Sequence, residues 1–522
     1  MKILGFLYSL ATGLLLAAAF PSFDISWIAW IALLPLLRVL RGLTMRQALL
    51  HGFIAGLTFF AATVHWVTNS VHFYGGVPLL PASLITLLLC AYLALYPALF
   101  GVAVIQLRRN YPSLLFLTAP AVWTALELAR TYVFSGFPWA LLGYSQYAFL
   151  PLIQLADITG VYGISFLIVL VNVALEEFLF SRRNYAGLVA ACLAVAATLA
   201  YGYNRLAVPL TGESIRISLV QGNIEQDRKW DPRYQSDVIA VYGRLTKAAL
   251  VQRPALVIWP ETATPFYFGG GGDHGALTKD LRMFVKQGDT PLLFGSPTYE
   301  IKPARAIELR NSAFFLDREG TPVAVYHKIH LVPFGEYVPL KRLLFFVDKL
   351  VEAVGDFRTG KEYTIMQVDA RSNMGMGPVD ISTVICYEII FPDLVRRFVD
   401  RGTTVMTTIT NDAWFGRTAA PYQHFSMAVF RAVENRVPVA RAANTGISGF
   451  IDARGRILAR SDIFTEAVLT QTLIPGRDRT FYTRYGDIFS YVCLVIALLS
   501  LAANYVLPSS QKTSFPTASS GR

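Results

Sequence analysis

The chain has 522 residues, of which 54% are hydrophobic and only 16% charged, and its formal net charge is +11. That is too long for one ordinary domain and too apolar for a soluble enzyme. Nothing in it resembles a nucleic-acid-binding module, so the basic excess is read against a membrane, as loop charges that set topology and as a solvated basic face.

Near-continuous apolar runs at 3–20, 26–40, 49–71, 78–106, 113–131, 160–181, 186–204 and 486–506 predict eight helices that cross a bilayer, whose hydrocarbon core is ~30 Å thick. The second run is short and carries Arg38 near its end. Lys2, Arg38, Arg41, Arg46, Arg108, Arg109, Arg182, Arg183, Lys512 and Arg522 fall in alternate connections and the two ends, whereas the opposite loops hold essentially Arg130. The positive side is cytoplasmic, so seven crossings place 205–485 outside and the eighth returns a polar tail, 507–522, to the cytoplasm. The opening "MKILGFLYSLATGLLLAAAFPS" has the form of a cleavable leader, but further spans follow at once, which favours a retained span. Glu127 and Arg130, spaced i,i+3 near the outer end of the fifth run, are expected to form a structural ion pair.

Beyond residue 205 the pattern changes. "IRISLVQG", "PALVIWPE", "PLLFGSP", "NSAFFLD", "PVAVYHK", "ISTVICYE", "TVMTTITND", "VPVARAANTG" and "SGFIDARG" read as strands, and "YQSDVIAVYGRLTKAALV" and "FSMAVFRAVENR" as helices between them. Strands mixed with amphipathic helices predict a layered α/β domain. "PFYF" before the glycines at 269–272, and "LKRLLFFVDKLV" at 340–351, are apolar for such a domain and are expected to dip into the lipid or form a lid.

Cys90, Cys192 and Cys493 lie in apolar runs, where they read as small packing residues. Cys386 stands alone in the outer segment, without a soluble partner for a disulfide. Three predicted strand ends carry reactive groups: Glu261 after "VIWP", Lys328 after "VYH", and Cys386 after "STVI". Singly, each has a bland reading as a solvated acid, a surface charge or a buried hydrophobe. Together they supply the parts of acyl transfer: a thiol nucleophile, a carboxylate to take its proton, and positive charge where the oxyanion grows. His327 and His330 are spaced i,i+3 but have no acid or cysteine at zinc-like spacing, so neither a metal nor a cofactor is expected.

Around these residues, "WPET", "HKIHLVPFGEYVP" and "ICYEIIFPD" resemble the carbon–nitrogen hydrolase (nitrilase) superfamily over 214–475. The whole chain, with "KWDP", "NDAWFG", "ARAANTGISGFID", "GFPWALLGYSQY" and "WTALELAR", resembles the apolipoprotein N-acyltransferase family. The resemblance implies an α-helical membrane bundle of eight spans plus an extracytoplasmic αββα sandwich, divided as 1–204, 205–485, 486–506 and a tail at 507–522. It implies Cys386 as nucleophile, Glu261 as base and Lys328 as oxyanion stabiliser with the Tyr387 N–H. Glu336 and Glu388 would be additional essential acids, and Trp230 and Tyr387 pocket aromatics. The implied partners are a phospholipid acyl donor, phosphatidylethanolamine in the family, and an S-diacylglyceryl apolipoprotein acceptor. The implied place is a bacterial inner membrane, with the catalytic domain on the periplasmic face. Two rivals stay open on the residues alone: a transporter, although no inverted repeat is visible, and a membrane-tethered amidase that would use the same triad with water as acceptor.

Overall fold

A computed structural model describes residues 2–181, 185–229, 231–301, 307–337, 357–369 and 377–506. Trp230, the stretch 340–351 and the tail at 507–522 lie outside the described residues.

Among the described residues the strands, in chain order, are β1 (Ile215–Gln221), β2 (Leu256–Ile258), β3 (Leu292–Ile301), β4 (Ile307–Leu316), β5 (Pro322–His327) and β6 (Met366–Val368). They continue with β7 (Val379–Ile385), β8 (Val405–Thr410), β9 (Val439–Ala443), β10 (Gly449–Ile451), β11 (Ile457–Arg460) and β12 (Ala467–Leu473). Two six-stranded sheets result, ordered β12-β1-β2-β3-β4-β5 and β11-β10-β9-β8-β7-β6. Each has a parallel centre, β1-β2-β3 and β7-β8-β9, flanked by antiparallel strands. Covered parallel strands need no polar face, which is why β2, β8 and β9 are buried along their whole length and read as nearly unbroken runs.

The sheets stack. Ile217, Leu219, Ile258 and Phe315 of the first share one core with Ile381, Val384, Met406 and Ala440 of the second. The opposite face of the first sheet, through Val220, Val257 and Phe294, meets Tyr242, Leu245 and Leu281 on helices Gln235–Leu250 and Asp273–Gly288. Helix Ala420–Asn435 packs on β9 and β10 of the second. This is the expected αββα layering, and every segment read as a strand forms one. The strands that were not read, β6, β11 and β12, are short or partly exposed and lack the buried-run signal.

Five helices in the N-terminal part are long and apolar enough to cross a bilayer: Met45–Val64, Leu79–Asn110, Pro112–Ser135, Val161–Ser181 and Tyr185–Ala207. The runs at 3–20 and 486–506 appear as shorter apolar helices, Ile3–Ala18 and Ile488–Ala502. The run at 26–40 is not one helix. It forms a 3-10 turn, Ser26–Trp30, and a separate helix, Leu34–Val39, that opens on Pro35, whose missing N–H suits a helix start.

Helix Ala420–Asn435 is buried apart from Tyr422, with the short N-terminal segments Leu142–Gln146 and Ala156–Thr159 packed against it. Gln423 Oε1 accepts from Trp139 Nε1 at 2.7 Å and Trp66 Nε1 at 3.3 Å, and its Nε2 donates to the Pro21 carbonyl at 2.8 Å. Further along, Arg431 donates to Tyr144 Oη at 3.0 Å, and Glu434 accepts the Val161 N–H at 3.1 Å.

Two expectations fail. Glu127 and Arg130 do not pair: the Glu127 carboxylate instead accepts the Leu142 N–H at 2.7 Å and Trp123 Nε1 at 3.1 Å. Arg130 donates to the Ala140 carbonyl at 3.3 Å and lies over the Phe60 ring. The loop that folds back supplies the Leu142 N–H and the Ala140 carbonyl, while Trp123 lies on the same helix and Phe60 on helix Met45–Val64. "PFYF" is not a lid either: Phe266 and Phe268 are buried, with Phe268 set against Phe294 and Phe314, and only the glycine run that follows is open. Burying such rings contributes about 1.5–3 kcal/mol each, which a loop free to lift would forgo.

Candidate active site

The first sheet delivers Glu261 three residues after β2 and Lys328 directly after β5, and the second delivers Cys386 directly after β7. β2 and β7 are paired on both sides and β5, an edge strand, on β4 alone, and the three side chains converge where the sheets meet. Gly295 on β3 makes this approach possible, because a Cβ there would stand 2.5 Å from the Thr262 nitrogen and 2.7 Å from the Glu261 Cα.

Lys328 is 1% exposed. Its Nζ lies 2.9 Å from Glu336 Oε2 and 3.6 Å from Glu261 Oε1. Burial works against the charge, but Glu336 and then Glu261 hold the ammonium well above the usual lysine range. Asn311 on β4 donates its amide to both carboxylates, at 2.8 Å each, and the Asn411 N–H closes on Glu261 Oε2 at 2.9 Å. Glu261 is thus aimed by a lysine, an amide and a backbone N–H.

Cys386 is buried and has φ +53°, a left-handed conformation unusual for a side-chain-bearing residue. The sharp strand-to-helix turn sets the sulfur out of the line of the sheet, and the surroundings have to hold it there. His424 Nε2 donates to the Cys386 carbonyl at 3.2 Å, with its Nδ1 between Asp412 and Arg441. Burial first, and Glu261 second, push the thiol well above its ordinary range, while Lys328 pulls it down. The resting group is a thiol, which would have to lose its proton to act as a nucleophile.

Glu388 points away from the sulfur. Oε2 accepts the Ile385 N–H at 2.7 Å, and Oε1 accepts the Ile329 and His330 N–H groups at 2.7 and 2.9 Å and Tyr326 Oη at 2.8 Å. It ties the nucleophile turn to the loop that carries Lys328. Burial pushes its carboxyl up to about 7 against these donors. Glu388→Gln turns acceptors into a donor facing N–H groups and should cost about 1–3 kcal/mol. A lower thermal midpoint with reduced turnover is the expected result, and an unchanged midpoint would refute the tie. Tyr387 packs on Phe391 and donates to the Gly136 carbonyl at 3.2 Å, so the nucleophile's neighbour touches the N-terminal part directly. His327 bonds Ser312 and His330 lies against Phe391.

Residue patterns missed Asn311, Asn411, His424 and Lys229, whose Nζ donates to the Glu261 carbonyl at 2.9 Å. Asn411 and Lys229 stand inside "NDAWFG" and "KWDP", so the strings were visible but not which side chain mattered.

The sequence matches the model of the apolipoprotein N-acyltransferase N-terminal domain over residues 12–174 and that of carbon–nitrogen hydrolase over 216–478. A curated apolipoprotein N-acyltransferase of Geobacter metallireducens is 44% identical over 505 residues, covering 95% of this chain and 94% of that one. The chain belongs to the apolipoprotein N-acyltransferase family. Another relative of that name, from Methylococcus capsulatus, is 35% identical over 489 residues, covering 92% of each chain. Among solved structures, an amidase from Nesterenkonia sp. AN1 aligns at 19% identity with a TM-score of 0.38, covering 55% of this chain and 99% of that one. Family membership makes the protein an acyltransferase built on a carbon–nitrogen hydrolase domain, and its five apolar helices make it integral to a membrane.

Proposed function

We propose that the protein moves a fatty acyl group from a phospholipid, through a thioester on Cys386, to the α-amino group of an S-diacylglyceryl cysteine at an apolipoprotein's N-terminus. The observation that carries this reading is the buried Lys328 between Glu336 and Glu261, in electrostatic reach of Cys386. The curated relatives are apolipoprotein N-acyltransferases by name.

Cys386 attacks the ester carbonyl as Glu261 takes the thiol proton, so the carbon–sulfur bond forms while negative charge gathers on the carbonyl oxygen beside Lys328 and the Tyr387 N–H. The carbon–oxygen ester bond breaks, and Glu261 passes the proton to the leaving lysophospholipid. The acceptor amine then attacks the thioester. The carbon–nitrogen bond forms as the carbon–sulfur bond breaks, the amine's proton returns through Glu261 to the leaving sulfur, and no nucleotide is required. A dry site protects the thioester from water between the halves.

In the same reading, residues 1–204 form seven spans, 205–485 the periplasmic catalytic domain and 486–506 an eighth span, in a bacterial inner membrane. The acyl donor is phosphatidylethanolamine, and both substrates keep their chains in the outer leaflet. Glu336 holds Lys328, and Trp230 and Tyr387 line the pocket. Incubating the purified protein with phosphatidylethanolamine alone should add the mass of one acyl group to Cys386, released by the acceptor peptide. Absence of the adduct on reduced, folded protein would refute the reading. A soluble amide turned over without any lipid would favour the amidase instead.

A further inference from the structure

A second buried lysine lies against the backbone of Glu261, whose carboxylate Lys328 approaches. Lys229 ends the short helix Gln226–Lys229, in the connection between β1 and helix Gln235–Leu250, and is 0% exposed. Its Nζ donates to the backbone carbonyl of Glu261 at 2.9 Å, and among the described residues no carboxylate lies within ion-pair distance of it. At the other end of that helix, Gln226 Oε1 accepts from Asn411 Nδ2 at 2.7 Å, and the Asn411 N–H is the one that holds Glu261 Oε2. The helix therefore grips the base twice, through its backbone and through the neighbour that aims its carboxylate.

A surface-seeking side chain with no ion pair of its own is an expensive thing to bury. Two titratable groups face it, the Glu261 carboxylate and the Cys386 thiol, with Lys328 on Glu261 as well. The charge of Lys328 is shared between two carboxylates, whereas that of Lys229 is uncommitted. When Cys386 gives up its proton, negative charge appears in a site that has pushed the thiol up, and an uncommitted cation is worth most at that moment.

We propose that Lys229 is a further positioning residue of the acylation step, holding the Glu261 backbone through its carbonyl and, while protonated, easing the loss of the Cys386 proton. The proposal rests on the reading of Cys386 as nucleophile and Glu261 as base. Burial pulls the Lys229 amine down to about 7, against Glu261 and Cys386, so its charge is lost within a testable range.

The test uses the full-length protein in detergent, with phosphatidylethanolamine and no acceptor, and reads the rate of single-turnover acylation of Cys386 by mass from about pH 5.5 to about pH 9. Omitting the acceptor keeps its α-amino group out of the profile. Wild type should slow as pH rises through about 7. Lys229→Met, which keeps the length and removes the charge, should be slower by ~10-fold or more below that pH and lack the alkaline fall. Lys229→Arg should keep the rate and move the fall to higher pH. A wild-type profile flat across the range, or a Lys229→Met profile that matches wild type, overturns the proposal without needing any other variant to fold. Failure of the underlying reading looks different: wild type then gains no acyl mass at any pH.

Discussion

Full-length Cys386→Ala protein should lose acyl transfer by at least ~10⁴-fold and gain no acyl mass, because removing a nucleophile abolishes the covalent route and leaves only binding and the oxyanion donors. Its thermal midpoint should stay close to that of wild type. The sulfur makes no structural bridge, since all four cysteines are free, and alanine tolerates the turn as well as cysteine does. Substitution of a small buried group away from any cavity costs about 1 kcal/mol. Because the thiol is pushed up by burial and Glu261, wild type should also react slowly with a small alkylating agent at neutral pH when lipid is absent. Residual acyl transfer by Cys386→Ala would remove the thioester, and fast alkylation of the resting enzyme would show a pre-formed thiolate and assign Glu261 another role.

Lys328→Met should damage both stability and catalysis. It strands Glu261 and Glu336 around a shared Asn311 with the cation gone. Removing one partner of a buried pair costs about 3–5 kcal/mol, and losing a principal oxyanion group costs about 10²–10³ in rate. The two effects separate in the double variant Lys328→Met/Glu336→Gln. Neutralising the second carboxylate should restore much of the melting temperature, and activity should stay low because nothing positive faces the developing oxyanion. Restored activity in that double variant would confine Lys328 to a structural role.

How far the sequence reaches depends on whether a residue acts at the end of a strong pattern. Glu261 and Cys386 follow buried strands and Lys328 a partly exposed edge strand, and the runs of β2, β5 and β7 point straight at them. Asn311 sits inside β4 with nothing in its neighbourhood to mark it, yet it bridges two carboxylates from separate loops. His424 looks like one more face of an amphipathic helix until the Cys386 carbonyl is seen against it. Glu388, next to the nucleophile in sequence, faces backward, because a left-handed residue turns the following side chains toward the loop after β5. The Glu127–Arg130 expectation failed for a related reason: i,i+3 spacing says which groups can meet on a helix, and a loop that folds over the helix offers each a backbone partner instead.

The burial of helix Ala420–Asn435 at every residue but Tyr422 has a practical meaning. In a free-standing αββα enzyme the outer helices present a wetted surface, but here short helices and loops of the N-terminal part back one layer, and Gln423 is moored to Trp66, Trp139 and Pro21 at once. A fragment beginning after residue 208 would bare tryptophan-sized sockets and orphaned amides directly behind the turn that carries the thiol. The two halves are one catalyst, and the lipid-embedded half serves as its scaffolding.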